Sequence, residues 1–557
     1  MVLPVPVVHV SSPARIEAPA RVAGPWTPRA ETRARRAGDF LVIALFLAAI
    51  AAPPVAWIAA PERSGDLARE FRLPAPPPRL EASWDAVEAL PASFDAWYGD
   101  TFGLRTSLIR WHNRAKLELL GVTPTPELVL GEDGWLFTTV HNGVEVWRGV
   151  DPLSSRELEV WRRVLEERRE WLARRGIGYV FAVASNKESI YPERMPADLN
   201  RVGPTRLDQL VEHLERRSGF RLLDLRSVLL EAKRRSAGEG DVYFELGTHW
   251  NDRGALYAYQ ALVRRASEVL PPRFAGVEPR SLAELELRPT ADQGDSWAGR
   301  LYMEDRLRQP NVELVFEKRA RHVPLDPDRP QDVAAEIDDP ALPRAVVFHD
   351  SFGEKLRPLL SEHFSRVAYH WVADFDTAAI ERERPDVVIQ LMVERGLVGY
   401  RPNTSPLDTE QRLLPIFRRS REVLARVDQA GDLGPTGGLR IAPGPREAPH
   451  ALALSIPEGG EGTVLLPAFH VPAGAWPVIA IDMVSPGEDL LELEFLTERE
   501  RDYSRQGRVV KRSLHPGRNT LLIRLLVPDL AGRLRLRPGS LSGERLLHSL
   551  EVRAVGD

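Results

Sequence analysis

The sequence predicts an α/β protein in three parts: one transmembrane helix, a doubly wound parallel sheet with helices on both faces, and a C-terminal all-β sandwich. Three observations carry this. Residues 40–60, FLVIALFLAAIAAPPVAWIAA, contain no charge, and at 1.5 Å per residue such a run crosses a hydrocarbon layer roughly 30 Å thick. Between about residues 150 and 400, helix-period stretches alternate with short unbroken apolar runs, the pattern of parallel strands covered on both faces. Beyond about residue 430 the elements become short strand-like runs divided by Gly, Pro and Asp.

Taken in order, residues 1–38 are rich in Pro, Ala and Arg and predict a disordered, basic tail. Arg29, Arg33, Arg35 and Arg36 precede the anchor at 39–60, so the positive-inside rule puts the tail in the cytoplasm and the remainder across the inner membrane, in the periplasm. Pro53 and Pro54 would kink or end a soluble helix. A cleaved signal peptide fits less well, because the basic leader is too long. Residues 61–85 include LPAPPPRL and read as an extended linker. The large α/β domain occupies 86–430. Ser154 with Glu157 makes a capping-box spacing ahead of a helix that stops before Gly176. YVFAVAS (179–185), FRLLDL (220–225), AVVFHDS (345–351), RVAYHW (366–371) and PDVVIQLMVE (385–394) read as strands. Residues 206–218, 253–270 and 353–363 read as helices. A Gly/Pro-rich boundary follows, and the sandwich occupies 440–557, with no repeat of solenoid or propeller length.

Composition narrows the chemistry. The chain has 557 residues, 74 Lys plus Arg against 79 Asp plus Glu and a formal charge of -5, which offers no field for a nucleic-acid backbone. It has no cysteine, which excludes thiolate metal ligation and a cysteine nucleophile and leaves Ser, Thr or a carboxylate. No HExxH, paired-carboxylate or P-loop spacing is present, so neither a metal nor a cofactor is expected.

In open α/β sheets reactive groups sit beyond the carboxyl ends of strands, and AVVFHDSFGEKL puts Ser351 at such a turn. From this motif alone a helix N-cap is the commoner role for such a serine. The best base is His249 in YFELGTHWNDRGALYAY, although one histidine among 13 is more often structural.

FDAWYGDTFGLRTSLIRWHNRAKLELLG, VLGEDGWLF, NKESIYPERMP, THWNDRGA, HDSFGEKLRPLLSEHF and PDVVIQLMVERGL follow one another along the chain. In that order they resemble the alginate O-acetyltransferase group of the AlgJ/AlgX type, over about residues 90–400. The resemblance implies an SGNH-hydrolase-like domain in permuted order, and the strand-rich C-terminus is similar to the carbohydrate-binding sandwich of some members. It makes Ser351 the nucleophile and His249 the base, in a family segment Asp-x-His-Trp whose aspartate position is Gly247 here. Three readings of Gly247 follow: another carboxylate, Glu245 or Asp252, orients the imidazole; Ser351 and His249 act as a dyad; or catalysis is lost and the protein only binds polymer. The same resemblance implies an acetyl-Ser351 intermediate, acetyl transfer to an exopolysaccharide hydroxyl, a polytopic membrane acyltransferase as acetyl supplier and further polysaccharide-synthesis proteins as partners. A carbohydrate acetylesterase would use the same pair on water. Asn186 follows a strand and is a candidate to line the site. Arg395 is a candidate for an anionic sugar or for an internal pair with Asp100 or Glu394, and Trp135 and Trp250 either stack on sugar or pack.

Overall fold

The computed structural model describes residues 33–59, 67, 69–70, 73–79, 83–274, 276–281, 284–327, 329–372, 374–457, 462–503 and 508–556. Of the tail expected at 1–38, residues 1–32 lie outside the described residues. The chain divides into two compact units, residues 1–108 and 109–557.

In the first unit, α1 (Arg33–Ala59) takes in residues 33–38 and continues through Pro53 and Pro54. Among the described residues it is the one helix long and apolar enough to cross a membrane, over Gly38–Ala59. Residues 73–79 have no regular structure, and Ala75 N donates to Asp100 Oδ2 at 2.9 Å. α2 (Trp84–Thr101) is capped by Ser83, which accepts from Ala86 N.

In the second unit, α3 (Ser155–Ala173) has the capping box that its sequence predicts: Ser154 Oγ accepts from Glu157 N at 3.2 Å and Glu157 Oε2 accepts from Ser154 N at 2.8 Å. The sheet that follows is built from β1 (Gly178–Ala184), β2 (Leu223–Asp224), β3 (Arg321–Pro324), β4 (Val333–Glu336), β5 (Arg344–His349), β6 (Arg366–His370) and β7 (Val387–Val393), in the order β2-β1-β7-β5-β6-β4-β3. The first five strands of that order are parallel. β4 and β3 add antiparallel to the edge. The sequence does not announce this pair, because RHVP and VAAE are short and carry charge and proline, features that suit an edge strand. FRLLDL yields only the two-residue β2. The helix expected at 353–363 is broken into a 3₁₀ turn (Ser351–Leu356), one α turn (Arg357–Leu360) and a second 3₁₀ turn (Ser361–His363), with Pro358 in the middle lacking a donor.

The strands alternate between two cores. On β1, Val180, Ala182 and Ala184 face one core with Leu256, Tyr259 and Leu262 of the helix Asp252–Val269. Tyr179, Phe181 and Val183 face the other, with Trp161 and Leu165 of α3 and Leu207 and Leu210 of the helix Arg206–Arg217. Helices therefore cover both faces, as the unalternated strands predict.

The sandwich has two antiparallel sheets, one of six strands and one of five, closed on an apolar core that includes Leu454, Ile479, Leu493, Phe495, Leu534 and Val552. Its first strand, Val423–Val427, precedes the Gly/Pro-rich stretch and pairs with the last, Gly543–Gly556. Arg401 ties the two layers of this unit together, reaching Glu157 of α3 at 3.0 Å and Asp529 at 2.9 Å.

Burial lowers the His363 imidazole to about 4, with Arg280 adding to the effect, and its Nε2 meets the Tyr259 hydroxyl at 2.6 Å. A native pKa below the unfolded one means that the unfolded chain takes up the extra proton between about pH 6.5 and 4, so this contribution to stability is present above that window and lost through it. We expect the stability of the wild type relative to His363→Asn to shrink by about 3 kcal/mol between pH 7 and 4. Urea denaturation at the two pH values measures the difference, and an unchanged gap would contradict it.

Candidate active site

β5 ends at His349, and the chain turns at Asp350 into the 3₁₀ segment Ser351–Leu356. The N-cap is Asp350: Oδ1 accepts from Phe352 N at 2.9 Å and Oδ2 accepts from Val393 N, at the end of β7, at 2.6 Å. Capping is thus done by the residue before the serine, and Ser351 is left with its hydroxyl directed elsewhere. Its Oγ lies 2.8 Å from His249 Nε2. His249 Nδ1 lies 2.7 Å from Asp295 Oδ2. Serine, imidazole and carboxylate form one hydrogen-bonded line, an arrangement competent for nucleophilic acyl transfer.

Asp295 is the residue that sequence reasoning missed. Its Oδ2 also accepts from Thr248 N at 2.6 Å and from His249 N at 2.9 Å. Burial acts to raise this carboxyl, but the hydrogen bonds and charge of His249 and the two amides outweigh burial and hold it well below the usual carboxylate range. Neither carboxylate proposed from the sequence touches the imidazole. Asp252 binds Lys355 Nζ at 2.5 Å and Leu314 N at 2.8 Å, and burial pushes the Glu245 carboxyl up without a hydrogen bond to His249.

Gly247 explains the substitution. A Cβ at 247 would stand 2.3 Å from Asp295 O and 2.5 Å from Asp295 Oδ2. The space a side chain at 247 would fill is taken by the carboxylate arriving from residue 295, and only glycine allows that approach. Two buried side chains fix the meeting. Lys187 Nζ donates to the carbonyls of Leu136 (2.5 Å), Phe244 (3.0 Å), Glu245 (2.9 Å) and Gly247 (2.6 Å); burial pulls this ammonium down and Glu188 opposes that. Gln309 accepts from Leu246 N at 2.7 Å and donates to Asp295 O at 2.8 Å, joining the two loops.

The remaining sequence candidates take structural positions. Asn186 is fully buried; its backbone N donates to Glu394 Oε2 at 3.1 Å and its Oδ1 accepts from Arg395 N at 3.2 Å, so it braces the ends of β1 and β7 rather than lining an open surface. Trp250 is fully buried with its ring 5.0 Å from that of Phe352, so it packs and offers no face to a sugar. Trp135 is likewise buried, against Tyr191. Arg395 does not pair with Glu394, whose Oε2 accepts from Asn186 N and from Ser189 Oγ at 2.7 Å. Its guanidinium lies over Phe352, next in the chain to Ser351, at 5.3 Å from the ring, with Nη1 3.4 Å from Asn186 Oδ1 and Nε without a partner. Beside it, at Val140–Asn142, His141 and Asn142 hold consecutive left-handed conformations (φ 53° and 57°), a strained turn of a kind that clusters at functional sites. Burial and the Arg395 charge together lower the His141 imidazole. Among the described residues no cluster of three or more His, Asp or Glu could hold a metal.

The fold is SGNH-hydrolase-like, and at the carboxyl end of β5 it sets a serine, an imidazole and a carboxylate in one line. Residues 128–373, somewhat under half of the chain, match the family model described as ALGX, SGNH hydrolase-like domain, acetyltransferase AlgX. A curated relative, "Probable alginate O-acetylase AlgJ" of Pseudomonas aeruginosa, is 34% identical over 139 residues, 25% of this chain and 32% of the relative; the match thus spans about a third of the relative's length. Two solved structures are similar. The O-acetyltransferase domain of Pseudomonas putida AlgJ has 19% identity and a TM-score of 0.32, over 50% of this chain and 94% of that one. Pseudomonas aeruginosa AlgX has 13% identity and a TM-score of 0.36, over 77% and 94%.

Two variants separate the parts of the line. Asp295→Asn keeps the shape but removes the charge, and we expect kcat to fall by about 10²- to 10⁴-fold with little change in Tm. Gly247→Ala must displace Asp295 and is expected to lower both kcat and Tm. Steady-state turnover of an acetyl ester and thermal melts measure both, and a fully active Gly247→Ala enzyme would contradict the packing argument.

Proposed function

We propose that the protein is a membrane-anchored O-acetyltransferase that moves acetyl groups onto hydroxyls of a cell-envelope exopolysaccharide through an acetyl-Ser351 intermediate. The observation that carries this is the Ser351–His249–Asp295 line, and the AlgX family match supports acetyl as the group moved. In the first half-reaction His249 Nε2 takes the Ser351 proton as Oγ attacks the acetyl carbonyl of the donor. The tetrahedral species collapses, and the leaving oxygen receives that proton from His249. In the second, His249 deprotonates an acceptor hydroxyl, which attacks the acetyl-serine, and Ser351 Oγ leaves with the proton. Asp295 fixes the tautomer with the proton on Nδ1 and stabilises the imidazolium formed in each half.

The Asp295 carboxylate, 2.7 Å from His249 Nδ1 in the space beside Gly247, supports the catalytic reading over that of Gly247 as the mark of a binding-only protein. α1 supports a single-pass anchor, with the tail cytoplasmic and the domains periplasmic, where a polytopic acyltransferase in the same membrane would supply acetyl groups. Alginate is the acceptor that the relative's name suggests. The sandwich offers little aromatic surface to a sugar among the described residues. Trp476 is covered by the Arg156 guanidinium at 4.2 Å, Phe495 is in the core, and Tyr503 lies under Arg535 at 4.5 Å. Carbohydrate binding by this domain would therefore run through polar groups, such as the row of Arg533, Arg535 and Arg537 on its strand Leu530–Arg537.

Intact mass after incubation with an acetyl-ester donor tests the proposal. We expect one adduct of about 42 Da, the mass of an acetyl group replacing hydrogen, that is absent in Ser351→Ala and is discharged by acceptor oligosaccharide. Discharge to water alone, with acceptor ignored, would make the enzyme an esterase. The absence of any adduct would overturn the covalent mechanism.

A further inference from the structure

Helix α2 carries an apolar stripe. Trp84, Val87, Pro91, Phe94 and Tyr98 recur at spacings of three and four residues and so share one side of the helix; Glu88 and Asp95 border that stripe along one edge, and Asp100 lies opposite it. Among the described residues the stripe is open: Trp84 is 83% exposed, Val87 51% and Phe94 46%. Phe94 stacks on Tyr98 with ring centres 5.7 Å apart, so the surface is ordered as well as open.

One flank of α2 is fixed against α1. The Trp97 ring meets Trp57 edge-on at 5.9 Å. Gly103, just beyond α2, approaches α1 so closely that a Cβ there would lie 2.4 Å from both Pro53 O and Trp57 N. Trp57 is in the last turn of the apolar span Gly38–Ala59. A spanning helix ends at the headgroup layer, where tryptophan is the preferred residue. The contacts with Pro53 and Trp57 therefore set the C-terminal end of α2 at the depth of that layer.

We propose that α2 lies in the outer headgroup region of the bilayer, with the Trp84–Val87–Phe94 stripe turned into the acyl-chain boundary, Glu88 and Asp95 at its edge among the headgroups, and the opposite side in water. The inference rests on the reading of α1 as a spanning helix. Lipid is the occupant because the stripe continues the exposed apolar surface of α1, on which Phe46, Ile50 and Ile58 are also open, and because its aromatic content suits the interface. α2 carries no Lys or Arg, so apolar burial and not charge drives the insertion, and the contact persists in zwitterionic lipid and at high salt.

The absence of cysteine from the chain makes the test direct, since one introduced thiol can be labelled without background. Full-length Phe94→Cys, Val87→Cys, Ala89→Cys and Ala49→Cys proteins, each carrying a bimane label, are reconstituted in phosphatidylcholine vesicles with spin labels at shallow or deep acyl positions; Ala89 is exposed on the side of α2 opposite the stripe. We expect shallow quenchers to quench Phe94→Cys and Val87→Cys severalfold more than Ala89→Cys, and deep quenchers to act on Ala49→Cys. If Ala49→Cys is quenched while the two stripe positions match Ala89→Cys, α2 stands clear of the lipid, and the inference falls while the anchor survives. If Ala49→Cys is not quenched, the anchor fails and the inference fails with it. Using two stripe positions guards against a single variant that misfolds.

Discussion

The carboxylate of Asp350 governs the geometry of the site. One oxygen accepts the amide of Phe352, in the turn after β5, and the other accepts the amide of Val393, at the end of the neighbouring parallel strand β7. Two strand ends that would otherwise leave unpaired donors are closed by one side chain. Because the aspartate does the capping, Ser351 does not have to, and a residue at a helix-start position keeps a free hydroxyl for the imidazole at 2.8 Å. The functional and bland roles of a serine after a strand are thus divided between two adjacent residues.

The orienting carboxylate shows that such a constellation is fixed in space and not in sequence. An imidazole with a proton on Nδ1 needs an acceptor in its plane, and the origin of that acceptor is immaterial to the chemistry. Here it arrives from residue 295, forty-six positions beyond His249. That route works only if residue 247 vacates the volume and if the two loops are held in register, which Lys187 and Gln309 do through backbone carbonyls and amides. A buried ammonium surrounded by carbonyls is costly unless every donor is used, and Lys187 has four acceptors within 3.0 Å.

Much of the architecture was legible because period is a local property. The strands 179–185, 345–351 and 385–394 announce themselves by unbroken apolar runs, and the helix from Ser155 by its capping box. The antiparallel strands β3 and β4 were not, because each is four residues long with no long unbroken apolar run, and β3, at the edge, tolerates charge and proline. Ser351 and His249 were readable through the family resemblance of their segments, since either motif alone favours a helix cap and a structural histidine. Asp295 was not, since ADQGDSWAG has no pattern that separates a catalytic carboxylate from a solvated one. Its one sequence trace was indirect, the glycine at 247. Trp250 and Asn186 were placed near the chemistry but not at its surface, since sequence proximity to a motif does not distinguish the layer beneath a site from its wall.

Arg395 illustrates how charge is balanced in that layer. A guanidinium 7% exposed would ordinarily sit in a bidentate pair, yet Oε2 of the adjacent Glu394 accepts from Asn186 and Ser189 instead. The compensation is distributed. Burial pushes up the carboxyls of Asp350 and of Glu188, and in both the positive charge of Arg395 pulls the other way. Asp350 accepts two amides, a role its ionised form fills best, so the charge of an arginine that has no carboxylate in contact favours the state that holds the β5 and β7 ends together. The arginine thereby acts on the serine turn by its field as well as through Phe352: the charge favours the Asp350 carboxylate, and Asp350 keeps Ser351 in line with His249.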